Sequence, residues 1–278
     1  MRHAFSVRRC AVLASLALAV LMGVTQSASA IVVLYLADFN APTYSDAALN
    51  NPSPTTDTTT PGQDGWLNTS GGGTNNITVA NSATNGFVTL VTSGQDVRHT
   101  FAAQTSGSVF FDLDMTVTAA QATGDYAFHF GDGSTTIFNA RTYIKSSGAG
   151  FVMAEGTGAG TAVTYGSTVL SFGTTYHLLA RYDIVAGTTN DTGALYINPT
   201  TVDGSGDTPY VNATLIGIDA TTISSISLRQ GTATSAANLT VDNFRAFIQP
   251  VPEPTSMALL GFAGVGFGSR LIRRKKAK

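Results

Sequence analysis

The sequence at 109–117 is Val-Phe-Phe-Asp-Leu-Asp-Met-Thr-Val. Every second residue from Val109 to Val117 is apolar, and the positions between Phe111 and Val117 hold Asp112, Asp114 and Thr116. Side chains of a β-strand point alternately to two faces, so this spacing predicts a strand with one buried and one polar face.

The same alternation recurs along residues 31–250, at 126–130 and again at 176–184. Further strands are predicted at 31–39, 76–80, 86–92, 97–101, 136–145, 150–154, 162–172, 193–198, 211–216, 222–229 and 238–248. Turn-forming residues separate them, as at Asn85-Gly86. Many short strands and no helix of the usual length predict an all-β, antiparallel two-sheet sandwich.

Both ends of the chain are predicted to be targeting segments. Residues 1–30 combine a basic start, an apolar stretch at 11–24 and the small residues Ala28-Ser29-Ala30, which is typical of a secretory signal peptide. Cys10 is the only cysteine and lies within this segment. The body left after cleavage therefore has no disulfide and needs a large core.

The C-terminal segment 251–278 contains Pro252-Glu253-Pro254, an apolar run at 256–272 and a basic cluster at 273–276. The apolar run is close to the lower limit for crossing a bilayer, and the basic cluster places the C-terminus in the cytoplasm. This order resembles the PEP-CTERM sorting signal. The resemblance implies cleavage by an exosortase, a transient anchor in the inner membrane and release to the cell surface or beyond. The alternative is a plain membrane anchor.

The charge of the body differs from that of the whole chain. Residues 31–250 hold six Lys or Arg and sixteen Asp or Glu, a formal charge of −10, whereas the whole chain has −2. An acidic body argues against nucleic acid as a partner and is compatible with cations and neutral sugars.

Residues 40–75 interrupt the strand pattern. They are long, polar and rich in Pro, Thr and Gly, which predicts a disordered segment or a loose flap. Trp66, the only tryptophan, lies in this segment. It is either a ligand-binding residue that stacks on a sugar ring or a residue packed at the edge of the core.

The body resembles the concanavalin A-like and laminin-G-like jelly rolls, on short matches at Ala37-Asp38-Phe39, Gly65-Trp66, 176–184 and Val241-Asp242-Asn243-Phe244. The resemblance implies that the first and last strands are neighbours. It also implies a structural Ca²⁺ held by Asp38, Asp242 and Asn243, since hard oxygen ligands suit this ion. The alternative is that these carboxylates are surface or turn-capping groups.

No catalytic set is complete. A glycoside hydrolase needs two carboxylates that flank the scissile bond. The strand with Asp112 and Asp114 lacks the glutamates of laminarinase-like enzymes, and the one glutamate of the body, Glu155, is placed in a Gly-rich loop. Asp112 and Asp114 are predicted on the solvent face. The histidines lack zinc-site spacing.

These observations predict a non-catalytic exported protein of the cell surface or extracellular matrix that is adhesive or contacts extracellular polysaccharide. One alternative is a calcium-stabilised carbohydrate-binding module. A second is a glucanase-like hydrolase. No cofactor besides Ca²⁺ is predicted.

Overall fold

The computed structural model describes residues 31–49, 61–71, 75–156, 163–214 and 219–249. The strands in chain order are β1 (Val32–Ala37), β2 (Leu67–Ser70), β3 (Thr78–Ala80), β4 (Phe87–Leu90), β5 (Asp96–Gln104), β6 (Gly107–Ala119), β7 (Asp125–Gly131), β8 (Phe138–Ser147), β9 (Gly150–Gly156), β10 (Leu170–Ser171), β11 (Thr175–Ile184), β12 (Thr192–Ile197), β13 (Val211–Thr214), β14 (Ile223–Leu228) and β15 (Asn238–Ile248). A short 3-10 turn, Gln63–Gly65, precedes β2.

The strands form two antiparallel sheets. The eight-stranded sheet has the order β13-β12-β11-β6-β15-β4-β3, and β1 also pairs with β15. The seven-stranded sheet has the order β10-β9-β8-β7-β14-β5-β2. The predicted all-β two-sheet sandwich is confirmed.

The stretch at 109–117 forms the middle of β6, which lies between β11 and β15 at the centre of the eight-stranded sheet. Its register with β11 runs unbroken from Gly107↔Ile184 to Thr116↔Thr175. Phe111 and its alternating apolar neighbours are fully buried between the sheets. The Phe111 ring packs edge-on against Phe130 of β7, with 5.0 Å between ring centroids. The period-two pattern therefore marks the core face of both sheets.

Two predicted segments differ from the structure. Of the strand predicted at 162–172, only Leu170–Ser171 is a strand among the described residues. The described parts of 40–75 are ordered, because Tyr44, Leu49 and Trp66 are buried and 67–70 form β2. Apolar residues spaced through a polar stretch anchor it to the core, which overrides the composition of the loop. Residues 50–60 lie outside the described residues.

The predicted signal peptide and C-terminal helix both lie outside the described residues. Within the part of the chain that the structure describes, no helix is long and apolar enough to cross a membrane.

Candidate functional site

The basic residues of the body are gathered on one side of the molecule. In β8, Ala140 and Ile144 belong to the core, so the alternating Arg141, Tyr143 and Lys145 lie on the outer face of the seven-stranded sheet. Arg98 and Arg229 join them there. We call this set, with Tyr126 and His129, the cationic face; it contains four of the six basic residues of the body.

Strand register brings these residues together across the sheet. Arg98 of β5 lies opposite Ser227 of β14, which in turn lies opposite His129 of β7. Tyr126, on the same face of β7, pairs with Tyr143 of β8. Directly opposed residues of antiparallel strands share a face, so five strands contribute to one surface when the residues of β9 beside β8 are included.

Aromatic rings lie beside three of the cationic groups of this face and hold them in place. The Arg141 Cζ atom lies 4.6 Å from the centroid of Tyr126 and 5.3 Å from that of Phe138. Arg229 Cζ lies 4.0 Å from the centroid of Tyr126, and Lys145 Nζ lies 4.1 Å from that of Tyr165. A cation held over a ring is stabilised by the ring quadrupole, so each of these groups is fixed in direction.

The cations of this face differ in their partners. Arg229 pairs with Asp125 at 2.8 Å. Arg98 donates to the carbonyl oxygens of Asn68 (2.6 Å) and Gly133 (3.1 Å). Arg141 is only 8% exposed, and its buried Nε atom has no hydrogen-bond partner. Neither Arg141 nor Lys145 forms an ion pair with any described residue.

His129 adds no charge to the cationic face. Its ring Nδ1 lies 3.0 Å from the carbonyl oxygen of Phe130 and donates to it. Burial lowers the pKa of His129 to about 3, and the charges of Arg141 and Arg229 contribute to this. His129 is therefore neutral at physiological pH, and the surface around Arg141 keeps a positive charge that an anion would neutralise.

The predicted calcium ligands lie near one another. β1 pairs with β15, as the resemblance implied, which brings Asp38 after β1 towards Asp242 within β15. Asp242 also lies opposite Asp114 of β6. Burial raises the pKa of Asp242, and the charges of Asp114 and Asp38 raise it further.

Asn243 sits at a bulge of β15 with φ 50°, and its Nδ2 donates to Asp114 at 2.9 Å. The Oδ1 atoms of Asp38 and Asp242 accept from the backbone N–H of Asn40 and Asn243. The oxygen ligands suit Ca²⁺, with Asp114 as a further carboxylate beside the predicted three. Among the described residues, however, no group of three or more His, Cys, Asp or Glu is arranged to hold a metal ion.

Trp66 is not available for a ligand. It is fully buried and packs against Tyr35, His99 and Phe244. Gly65, with φ +84°, allows the chain to turn Trp66 inwards. The prediction of a sugar-stacking Trp66 is therefore wrong, and the alternative of packing in the core is correct.

The eight-stranded sheet separates Glu155 from the other two carboxylates considered for hydrolysis. Glu155 is in β9, not in a loop, and it points between the sheets towards Gly193. Asp112 lies on the outer face of β6, as predicted, but it is not exposed to solvent, because it is buried there and accepts two hydrogen bonds from Arg245. Asp114 is partly exposed and lies 2.9 Å from Nδ1 of His177. Asp112 and Asp114 both lie beside the His177 ring, with 3.6 Å between Asp112 Oδ2 and His177 Nε2, whereas Glu155 is on the other side of the sheet.

The sequence analysis missed the cationic face. The alternation of Arg141, Tyr143 and Lys145 was a usable signal, because it places two of the six basic residues of the body on one strand face. The side of the sheet on which they lie depends on strand pairing that only the structure provides.

The sorting motif lies outside the described residues, and its evidence is the sequence comparison. The family model described as the PEP-CTERM protein-sorting motif matches residues 250–275, which include Pro252, Glu253 and Pro254. Residues 250–275 are a PEP-CTERM sorting motif. The motif marks an exported protein that is transiently anchored in the membrane, and it implies processing by an exosortase.

Several solved structures are similar to the body of the chain. A mutant of the alginate lyase Aly36B in complex with alginate tetrasaccharide matches with a TM-score of 0.51 and 14% identity over 81% of this chain and 100% of the lyase. The carbohydrate esterase of the Shiga toxin-encoding bacteriophage phi24B matches with a TM-score of 0.47 and 13% identity, over 80% of this chain and 100% of the esterase. The carbohydrate-binding module CBM66 of Bacillus subtilis matches with a TM-score of 0.39 and 13% identity, over 66% of this chain and 94% of the module.

At this identity the likeness to the lyase shows a shared β-sandwich fold and nothing about chemistry. No curated protein matches the chain.

Proposed function

We propose that this is a non-catalytic, exported protein of the cell surface or extracellular matrix that contacts extracellular polysaccharide through its β-sandwich. The observation that carries the proposal is the PEP-CTERM motif at 250–275 placed directly after the sandwich. A sorting motif of this kind would deliver the domain to the cell surface or to extracellular polymer, where it can meet glycan.

Two further observations support the proposal. The same fold holds an alginate tetrasaccharide in the lyase Aly36B, so a sandwich of this architecture has room for a glycan on its surface. Glu155 is enclosed between the sheets and Asp112 is held by Arg245, which favours a contact surface over hydrolysis.

The tail tests the proposed route. We expect the extracellular protein to lack residues 273–278, measured as intact mass by mass spectrometry, and to sediment with extracellular polysaccharide. Replacing Pro252, Glu253 and Pro254 together with Ala is expected to leave the full-length chain in the membrane fraction. The control Pro199→Ala, in the body, should be processed normally. Extracellular protein that retains 273–278 would show that sorting by cleavage is wrong.

The alternative of a calcium-stabilised module is favoured by one observation, the closeness of the Asp242 carboxylate to those of Asp38 and Asp114. When bound, Ca²⁺ would neutralise this repulsion and tie the ends of β1 and β15 together. Asp38, Asp242 and Asn243 would hold the ion.

Calcium binding predicts a metal-dependent melting temperature. A site with Ca²⁺ at 100 times its Kd adds about 2.7 kcal/mol to the free energy of unfolding. Ca²⁺ should therefore raise the melting temperature by several degrees and EDTA should reverse this. Asp242→Asn should abolish the response, while Asp132→Asn, in a distant turn, should preserve it. An identical melt in Ca²⁺ and in EDTA would rule out the site.

A further inference from the structure

The distribution of charge partners sets the cationic face apart from the rest of the body. On the described residues, Arg181 pairs with Asp183 at 3.1 Å, Arg229 pairs with Asp125, and Arg245 pairs with Asp112. Arg141 and Lys145 form no such pair, although the body holds sixteen carboxylates. A shortage of acidic residues therefore does not explain their lack of a counter-charge.

The Arg141 guanidinium is oriented before any ligand arrives. It lies over the rings of Tyr126 and Phe138, and its Nε atom is buried without a hydrogen-bond partner. A buried donor without a partner lowers stability, and a charged one does so more strongly. A bound carboxylate would supply the counter-charge that this guanidinium lacks. Because the side chain is already fixed, binding would cost little conformational entropy.

The spacing along β8 indicates a ligand with more than one acidic group. Arg141 and Lys145 lie four residues apart on the same face, about 13 Å along the strand at roughly 3.3 Å per residue. A single small anion cannot reach both. Tyr143, half-buried between them, offers a ring on which a sugar can pack, as amphipathic aromatic residues do in binding sites.

The chemistry of this surface argues against a nucleic acid. The formal charge of −10 on the body opposes any polyanion, so a ligand must be recognised through local contacts on the cationic face. Two unpaired cations on either side of a tyrosine ring suit a polymer that carries carboxylates on sugar rings with one apolar side, whereas a nucleic acid carries its charge on phosphates outside its rings.

We propose that the cationic face binds an acidic polysaccharide, with one carboxylate of the polymer on the guanidinium of Arg141, a second on Lys145 and a sugar ring against Tyr143. The proposal rests on the proposed function and names its ligand class. Its recognition element is charge, so the same polymer without its charges should bind poorly.

The experiment compares polygalacturonate with its methyl ester, which keeps the sugar backbone and removes the charge. Binding of the exported protein is measured by affinity electrophoresis and calorimetry, with dextran as a neutral polymer. We expect binding to polygalacturonate that weakens with salt and binding to the ester that is at least about tenfold weaker.

Variants identify the residues. Arg141→Met should weaken binding to polygalacturonate about tenfold, because it removes a charge-assisted pair of hydrogen bonds, and Lys145→Met about threefold. The matched control is Arg181→Met, which removes a paired arginine of the eight-stranded sheet and should leave binding unchanged. Melting curves of each variant confirm that it is folded. If Arg141→Met fails to fold, Lys145→Met and the ester comparison decide.

The outcomes separate this proposal from the function on which it rests. If polygalacturonate, its ester and dextran bound equally well, and Arg141→Met had no effect, the proposal of an acidic ligand would be wrong. The proposed contact with polysaccharide would still hold. No binding to any polysaccharide would overturn both. If inorganic sulfate competed for the site as well as polygalacturonate does at equal charge, the face would be a simple anion site, and the proposed binding of a polymer would be wrong.

Discussion

Glu155→Gln is expected to stabilise the protein strongly at pH 9 and only slightly, by about 1 kcal/mol, at pH 5. Glu155 is 2% exposed, and neither of its carboxylate oxygens has a hydrogen-bond partner. Burial raises its pKa to about 8, and the charge of Asp183 adds to this. The folded protein therefore holds a neutral carboxyl group at pH 7.

The sign of the pH dependence follows from the two states. The ordinary pKa of a glutamate is about 4.3, so the unfolded chain loses this proton well below pH 7. Between that value and about pH 8, the folded state binds more protons, and the free energy of unfolding falls by about 1.4 kcal/mol per pH unit. The penalty is absent well below pH 4 and complete above pH 8, where it is on the order of 5 kcal/mol.

Urea unfolding at pH 5, 7 and 9 measures how the free energy of unfolding depends on pH. The wild type should lose stability as the pH rises, and Glu155→Gln should lose much less of it. Asp132→Asn removes a carboxylate from a turn where hydrogen bonds with Ser134 help to lower its pKa, so it should keep the wild-type slope over this range. Equal slopes for wild type and Glu155→Gln would show that Glu155 ionises normally in the fold.

The fold was largely predictable, because strands with one buried face show apolar and polar residues in alternation. β6 and β11 show it clearly, and β15 was predicted with its exact bounds. β2 was missed because its sequence, Leu-Asn-Thr-Ser, has little apolar character and lies in a stretch whose composition favours a loop. Its strand conformation depends on pairing with β5, a tertiary contact.

The site was harder to predict, because what distinguishes one arginine from another is its partner. Asp112 and Arg245 are 133 residues apart in the chain, and only the pairing of β6 with β15 brings them together. Arg141 has the same chemistry and no such partner. The amino-acid composition showed that the body is acidic, but it could not show which of the basic residues lack an acidic partner.

Trp66→Ala is expected to lower the free energy of unfolding by about 3–5 kcal/mol, the usual cost of removing a large buried aromatic residue. Trp66 contacts Tyr35 of β1 and Phe244 of β15 in one sheet and His99 of β5 in the other. It therefore joins the two sheets, and the cavity left by Ala would lie between them. Domains are stable by only about 5–15 kcal/mol, so this loss is a large fraction of the total.

This expectation changes the meaning of a binding assay on Trp66. Lost glycan binding in Trp66→Ala would report partial unfolding, since the ring is inaccessible to a sugar. Tyr143→Ala is the matched comparison: Tyr143 is half-buried on the cationic face, so it should lose binding with a much smaller change in the urea midpoint. Trp66→Phe should keep both properties close to wild type. A Trp66→Ala protein with wild-type stability and no glycan binding would return Trp66 to the binding surface.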